Sequence, residues 1–148
     1  MKWNSRQRVV KMMRVMTFYI SGKLYGIDIT MLKEVVRHIT CLSVASTAPE
    51  VKGIFNMRGN VVTVLDLIKL LKIEEDASVD EKYCYVLKEE MVGGDYIGFL
   101  ADEPGDVIEI KSMNEIDKEI GEYEPIEIVD IDNTVIRLVN GGFLRDHM

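Results

Sequence analysis

From Val15 onward, apolar and polar positions alternate mostly with a period of two, broken at short intervals by Gly, Asn, Asp, Ser or Pro. That period puts successive side chains on opposite faces of a strand. The stretch MTFYISGKLYGIDI reads as a strand, a turn at Ser21-Gly22 and a second strand, hence a β-hairpin. In TMLKEVVRHITCL the first half fits a single helical turn. From Glu34 it alternates, with Val35, Ile39 and Cys41 on one face and Arg37 intruding on it. The segment Ser43–Lys52, with Pro49 and small residues, reads as a loop. GIFNMRGNVVTVLDL gives strand, Arg-Gly-Asn turn, strand. Asp66 is then placed to cap a short helix over LIKLLKI, where Leu67, Ile68 and Leu71 fit helical spacing.

Residues 74–82, EEDASVDEK, are acidic and poor in apolar side chains, and form the best linker candidate. Beyond them, YCYVLKEE and DYIGFLADE read as strands around a Gly93-Gly94 turn, and VIEIK as a strand after Pro104-Gly105. KSMNEIDKEIGEYEP reads as loop, and IEIVDIDNTVIRLVN as a hairpin turning at Asp132-Asn133. About ten short strands with little helix predict an all-β sandwich or barrel architecture.

A weak internal repeat refines that expectation. Gly26-Ile27 and Gly98-Phe99 lie 72 residues apart, as do Val35-Val36 and Val107-Ile108, and the turn residues Asn60 and Asn133 lie 73 apart. Two copies of one β unit are predicted. The expected architecture is two similar barrels, with approximate halves 15–73 and 80–148 divided at the acidic stretch and with terminal strands free to cross between them. Closing each sheet removes its exposed edges.

Charge changes the picture at one end. The chain of 148 residues carries a formal net charge of −7, which argues against a nucleic-acid partner. Yet residues 1–14 hold Lys2, Arg6, Arg8, Lys11 and Arg14 and no acid. The remainder has 13 basic against 25 acidic residues, a net −12. The first 14 residues read as a flexible basic tail, as residues upstream of the true start with Met16 a plausible initiator, or as a basic amphipathic helix using Trp3, Val9, Val10 and Met13. No apolar run approaches the ~20 residues of a membrane helix, so no membrane insertion is expected.

Candidate chemistry is sparse. Cys41 and Cys84 form no metal-ligand spacing and read as small buried thiols. His38 falls in a predicted strand and His147 is next to last. Asp130 and Asp132 flank a turn without the glycine that a calcium loop needs, since Val135 stands there. No nucleotide loop, nucleophile elbow or metalloprotease motif occurs. No catalytic, cofactor-binding or metal-binding residue set is predicted, and the chain is not expected to be an enzyme.

The segment VKGIFNMRGNVVTVLDL resembles the signature of the CheW-like family through Val51, Gly53, Asn56, Arg58, Gly59, Asp66 and Leu67. The opening TFYISGKLYGIDITMLKEVV and the later YIGFLADEPGDVIEI are similar to two further family segments, in order, so the likeness runs from about Thr17 to Asn140. Three places depart from the pattern: the loop SVASTAPE, Pro104 at a position usually apolar, and the ending GGFLRDHM, where a C-terminal helix is expected to be short or missing.

The resemblance implies two five-stranded SH3-like barrels and a non-catalytic scaffold. That scaffold would join the cytoplasmic tip of a chemoreceptor to the regulatory domain of the histidine kinase CheA, in the cytoplasm at membrane-associated receptor arrays. It also implies receptor-facing positions at Leu32, Glu34, Gly53 and Arg58. Leu32 stands in the polar stretch TMLKE without a periodic partner, so it reads either as a contact for a receptor helix or as a cap on the first barrel's core. Arg58 reads either as a solvated turn residue or as a bond to the neighbouring barrel. Alternative readings keep the fold in another receptor-kinase array, in a kinase regulatory domain, or in a small ligand-binding β-barrel.

Overall fold

A computed structural model describes residues 9–45, 48–73, 76–79, 83–89, 95–114 and 125–146. Among the described residues, ten strands form: β1 Val9–Ile20, β2 Lys23–Asp28, β3 Leu32–Arg37, β4 Val51–Met57, β5 Asn60–Leu65, β6 Tyr83–Leu87, β7 Ile97–Ala101, β8 Pro104–Asn114, β9 Ile126–Ile131 and β10 Thr134–Val139. A 3-10 turn over Ile29–Met31 precedes β3, and two short helices, α1 Leu67–Leu70 and α2 Gly141–Asp146, follow β5 and β10.

All three hairpins predicted around Ser21, Arg58 and Asp132 form, each with a two-residue turn. The turn residues have positive φ throughout: 49° and 78° at Ser21-Gly22, 51° and 89° at Arg58-Gly59, 48° and 65° at Asp132-Asn133. That backbone matches the right-handed twist of the flanking strands, so tight hairpins favour it. The Gly93-Gly94 turn lies outside the described residues.

The strands form two five-stranded sheets, ordered β8-β1-β2-β10-β9 (barrel A) and β3-β6-β7-β5-β4 (barrel B). Replacing each strand of the first repeat by its counterpart in the second, β1 by β6 through β5 by β10, converts one order into the other. The duplication is therefore real, but the division at 74–82 does not separate the barrels. Barrel A takes its first two strands from the first repeat and its last three from the second, and barrel B the reverse. The exchange is fixed by parallel pairing of β2 with β10, Gly26 beside Leu138, and of β7 with β5, Gly98 beside Val64.

Burial explains the exchange. Each leading hairpin is apolar on both faces and must be covered on both. On β1, Val15 enters barrel A while Phe18 and Ile20 face a core shared between the barrels. On β6, Cys84 and Val86 enter barrel B while Tyr85 and Leu87 face the shared core. The ring centroids of Phe18, Tyr85 and Phe99 lie 5.0–5.5 Å from one another there, at distances favourable for aromatic pairs. The Tyr85 hydroxyl donates to the Asp102 carbonyl at 2.8 Å, which satisfies its polar end.

The equivalence extends to the caps. The Asp66 carboxylate accepts from the Lys69 N–H and the Asn140 side chain from the Phe143 N–H, both at 3.3 Å. These N-cap residues stand 74 apart, as do the turns Arg58-Gly59 and Asp132-Asn133, so Asn60 corresponds to Thr134 and not to Asn133. The C-terminal helix is present and short: α2 seats Leu144 in the shared core.

Three sequence expectations are corrected. Val9–Arg14 is strand, paired with β8 from Val9 opposite Asn114 to Arg14 opposite Glu109, so that part of the basic segment is neither tail nor helix. Its β propensity and the packing of Met13 beside Ile110 outweigh its charge. Residues 1–8 lie outside the described residues. On β3, Val35 turns to the shared core, while Val36, and Ile39 and Cys41 beyond the strand, turn to barrel B. The alternation ends where His38 takes a φ of 57°. In the linker candidate, Ser78 exchanges two hydrogen bonds of 2.9 Å with Ser21, and Val79 packs on both cores, so residues 76–79 are tied to the body.

Candidate functional site

The signature hairpin β4–β5 and strand β3 lie on opposite edges of barrel B. In a flat five-stranded sheet those edges would stand about 19 Å apart. Here they meet. Leu42, just beyond β3, exchanges backbone hydrogen bonds with Ile54 of β4 at 2.8 and 2.9 Å. Arg58, at the β4–β5 turn, reaches Glu34 of β3 with both guanidinium nitrogens: Nη1 donates to Oε2 at 3.3 Å and Nη2 contacts Oε1. The pair is a clasp across the seam where the sheet closes into a barrel.

Local sequence builds this clasp. Gly59 supplies the φ of 89° that the turn requires, and its N–H donates to the Asn56 side chain at 2.7 Å. That leaves Arg58 in the left-handed region, sparsely populated for a residue with a Cβ. Its side chain then projects over β3. A bulge in the β3–β6 pairing, between Leu32 and Glu34, turns Glu34 toward it. The guanidinium fork matches a carboxylate bidentately, which a lysine would not do. Hydrogen bonding from Arg58 holds the Glu34 carboxyl below its ordinary value. The Arg58 side chain is 67% exposed and that of Glu34 30%, so solvent screens the pair and it adds little to stability. Their exposure leaves both available to a partner.

The other two predicted site residues are elsewhere in kind. Leu32 is 8% exposed, sits in the shared core and pairs with Leu87 of β6. It caps a core, because the bulge that turns Glu34 outward sends Leu32 inward. Gly53 is buried, and a Cβ there would overlap the Leu42 carbonyl and lie 2.8 Å from Cys41 Sγ. Its role is to let the Cys41–Leu42 segment cross β4 and close the seam. Arg58 bonds within its own barrel and does not cross to the neighbouring one.

Sequence reading passed over other parts of the same surface. Lys33, the bulged residue, pairs with Glu89 and stands 5.4 Å from the Tyr96 ring centroid. Val61, opposite Asn56 in the signature hairpin, is 57% exposed, and Leu42 beside Ile54 is 60% exposed. The alternation of NVVTVL did not single out Val61, which shares its face with Thr63 and the buried Leu65.

The CheW-like domain model matches residues 14–143, nearly all of both barrels. The chain belongs to the CheW-like family. Among curated relatives, the chemotaxis protein CheW of Bacillus subtilis (strain 168) is 26% identical over 138 residues, which cover 90% of this chain and 86% of that protein. The chemotaxis protein CheW of Treponema pallidum (strain Nichols) is 32% identical over 62 residues, 42% of this chain and 36% of that one. Among solved structures, the scaffolding protein TtCheW from Thermoanaerobacter tengcongensis superposes with a TM-score of 0.63 at 22% identity, over 88% of this chain and 90% of that one, and shares the fold. CheW-like proteins of this kind are non-catalytic scaffolds of chemotaxis signalling, and this chain is one of them. No helix among the described residues is long and apolar enough to cross a membrane.

Proposed function

We propose that this chain couples the cytoplasmic tip of chemoreceptors to the regulatory domain of the histidine kinase CheA, at membrane-associated arrays. In this reading the seam of barrel B is the receptor-facing surface. The observation that carries it is the exposed clasp between Arg58 and Glu34, built from the family's signature hairpin and contributing little to the fold. Exposed Val61 and Leu42 beside it offer the apolar contact that an amphipathic helix needs. Leu32 and Gly53 support this surface from behind: one anchors β3 in the core and the other allows the seam to close. Central polar contacts fix orientation, and rim charges set specificity more than affinity.

The test is a pull-down with CheA and a receptor cytoplasmic fragment from the same source, using wild type, Arg58→Glu, Glu34→Arg and the double reversal. Receptor binding is expected to fall in both single variants. The reading is lost if both bind the receptor fragment as wild type does. Recovery in the double reversal would mean that the clasp acts through its own geometry, and continued loss that the receptor reads one of the charges.

A further inference from the structure

A second surface lies at the other end of β5. The strand begins next to the Arg58 turn and ends at α1, and six strand residues separate the two by about 20 Å. There the junction between the barrels opens into a cleft of about 320 Å³. Barrel A contributes Lys23 and Tyr25 from β2, Ile128 from β9 and Arg137 from β10, and barrel B contributes Lys72 and Ile73. The protein is acidic, yet among the described residues this lining holds three cations and no carboxylate.

The side chains are placed by local structure. Helix α1 ends in a Schellman cap: the Ile73 N–H donates to the Ile68 carbonyl at 2.9 Å and the Lys72 N–H to the Lys69 carbonyl at 3.2 Å. Glycine is the usual residue at the left-handed position of such a cap, but Lys72 occupies it with a φ of 54°. A lysine is held in a glycine's conformation at the rim of the cleft. On the opposite wall the Arg137 guanidinium lies 5.9 Å from the centre of the Tyr25 ring, which orients a charged head over an apolar base. Ile128 is 62% exposed and is the largest such exposure among the described bulky aliphatic and aromatic residues.

We infer that this inter-barrel cleft is a second docking surface, and that it takes an acidic peptide segment of a partner protein carrying an aliphatic anchor. The charge of the lining selects the acidic residues, and Ile128, Ile73 and Tyr25 receive the anchor. The cleft is as small as the lower end of ligand pockets, so it fits an anchor side chain and its flanks, not a folded module. The surface is distinct from the barrel B seam and stands whether or not that seam meets a receptor.

The probe is a fluorescein-labelled peptide of repeating Glu-Glu-Leu, followed by anisotropy at fixed ionic strength with the full chain. Wild type should bind it more tightly than an all-Glu peptide of equal length, and should not bind a Lys-Lys-Leu peptide. The double variant Lys23→Glu, Lys72→Glu should weaken binding about tenfold or more with its melting temperature kept. Ile128→Ser should weaken it by a smaller factor, while Glu34→Arg, at the seam, should leave it unchanged. The inference is overturned if the double variant binds as wild type does, if the all-Glu peptide binds equally well, or if Glu34→Arg abolishes binding. Two further results would name a different occupant and also overturn it. One is a many-fold gain in affinity in Glu74→Gln, Glu75→Gln, which would make the chain itself the occupant. The other is a dimer in sedimentation that the double variant dissolves, which would make it a second copy.

Discussion

Barrels A and B share a backbone plan but differ at the seam. Both carry a register shift near the seam, between Leu32 and Glu34 on β3 and between Met16 and Phe18 on β1, opposite Val107 and Pro104 of β8. By the 72-residue offset, Leu32 corresponds to Pro104 and Glu34 to Asp106; by the 74-residue offset, Arg58 corresponds to Asp132. Where barrel B carries opposite charges that clasp, barrel A carries two carboxylates. Asp106 and Asp132 instead line a cleft of about 300 Å³ at the mouth of barrel A, together with Thr17, Tyr19 and Thr134. The Thr17 hydroxyl donates to the Asp106 backbone carbonyl at 2.5 Å, tying β1 to its neighbour β8 beside this cleft. One backbone thus forms with or without a charge pair at its seam. The lesson is that closure comes from strand pairing and core packing, and that the seam charges are left available for recognition.

The largest test of that comparison is Leu32→Ser. Its counterpart Pro104 is only half-buried, whereas Leu32 is in the shared core, so loss of the leucine and burial of a hydroxyl should cost about 2–5 kcal/mol. A thermal melt reads this directly. A melting temperature close to wild type would return Leu32 to the surface and to the receptor.

Deleting residues 1–13 comes next. Among the described residues, the deletion removes the extension of β1 that pairs with β8 and packs Met13 in barrel A. A loss of about 1–2 kcal/mol in chemical denaturation is expected. An unchanged midpoint would show that barrel A closes without this ribbon.

Asp132→Arg should copy the clasp of barrel B into barrel A by facing Asp106 with a guanidinium. A rise in melting temperature of about 1–2 °C is expected, erased when Asp106→Ala is added. If the rise survives that addition, relief of repulsion and not a new ion pair is responsible.

Arg58→Ala should change the melting temperature least, because the pair is exposed. Its signature is in pH. The folded Glu34 carboxyl is held below its ordinary value of 4.5, chiefly by hydrogen bonding from Arg58. Its contribution is therefore present above that value and is lost as pH falls through the lowered one. Any small gap between wild type and Arg58→Ala should close in acid, and the Glu34 titration followed by NMR should move upward in the variant. An unmoved titration would mean that the clasp does not form in solution.

How much of this was legible in the chain follows from range. Two-residue turns, alternating strands and the Asp66 cap depend on neighbours a few residues away, so SGK, RGN, DNT and DL announced them. The repeat was legible through glycines: Gly26 and Gly98 mark where a strand passes close to another, with no room for a Cβ against Val15 or Cys84. Arg58 and Glu34 could be named from the signature, but the bond between them could not, since 24 residues and a whole sheet lie between.

Tertiary structure alone decided the rest. The leading hairpins changed barrels because both of their faces needed cover, which no local pattern states. Leu32 looked solitary in TMLKE because its strand partner Leu87 belongs to the other repeat and the shared core that it joins is assembled from both repeats. The basic segment became strand because β8, about a hundred residues away, offered it a ladder. What the sequence by itself determined was the kind of element and the turn chemistry, which are short-range. Which strand lies beside which, and hence which charges face each other or face a partner, required the closed barrels.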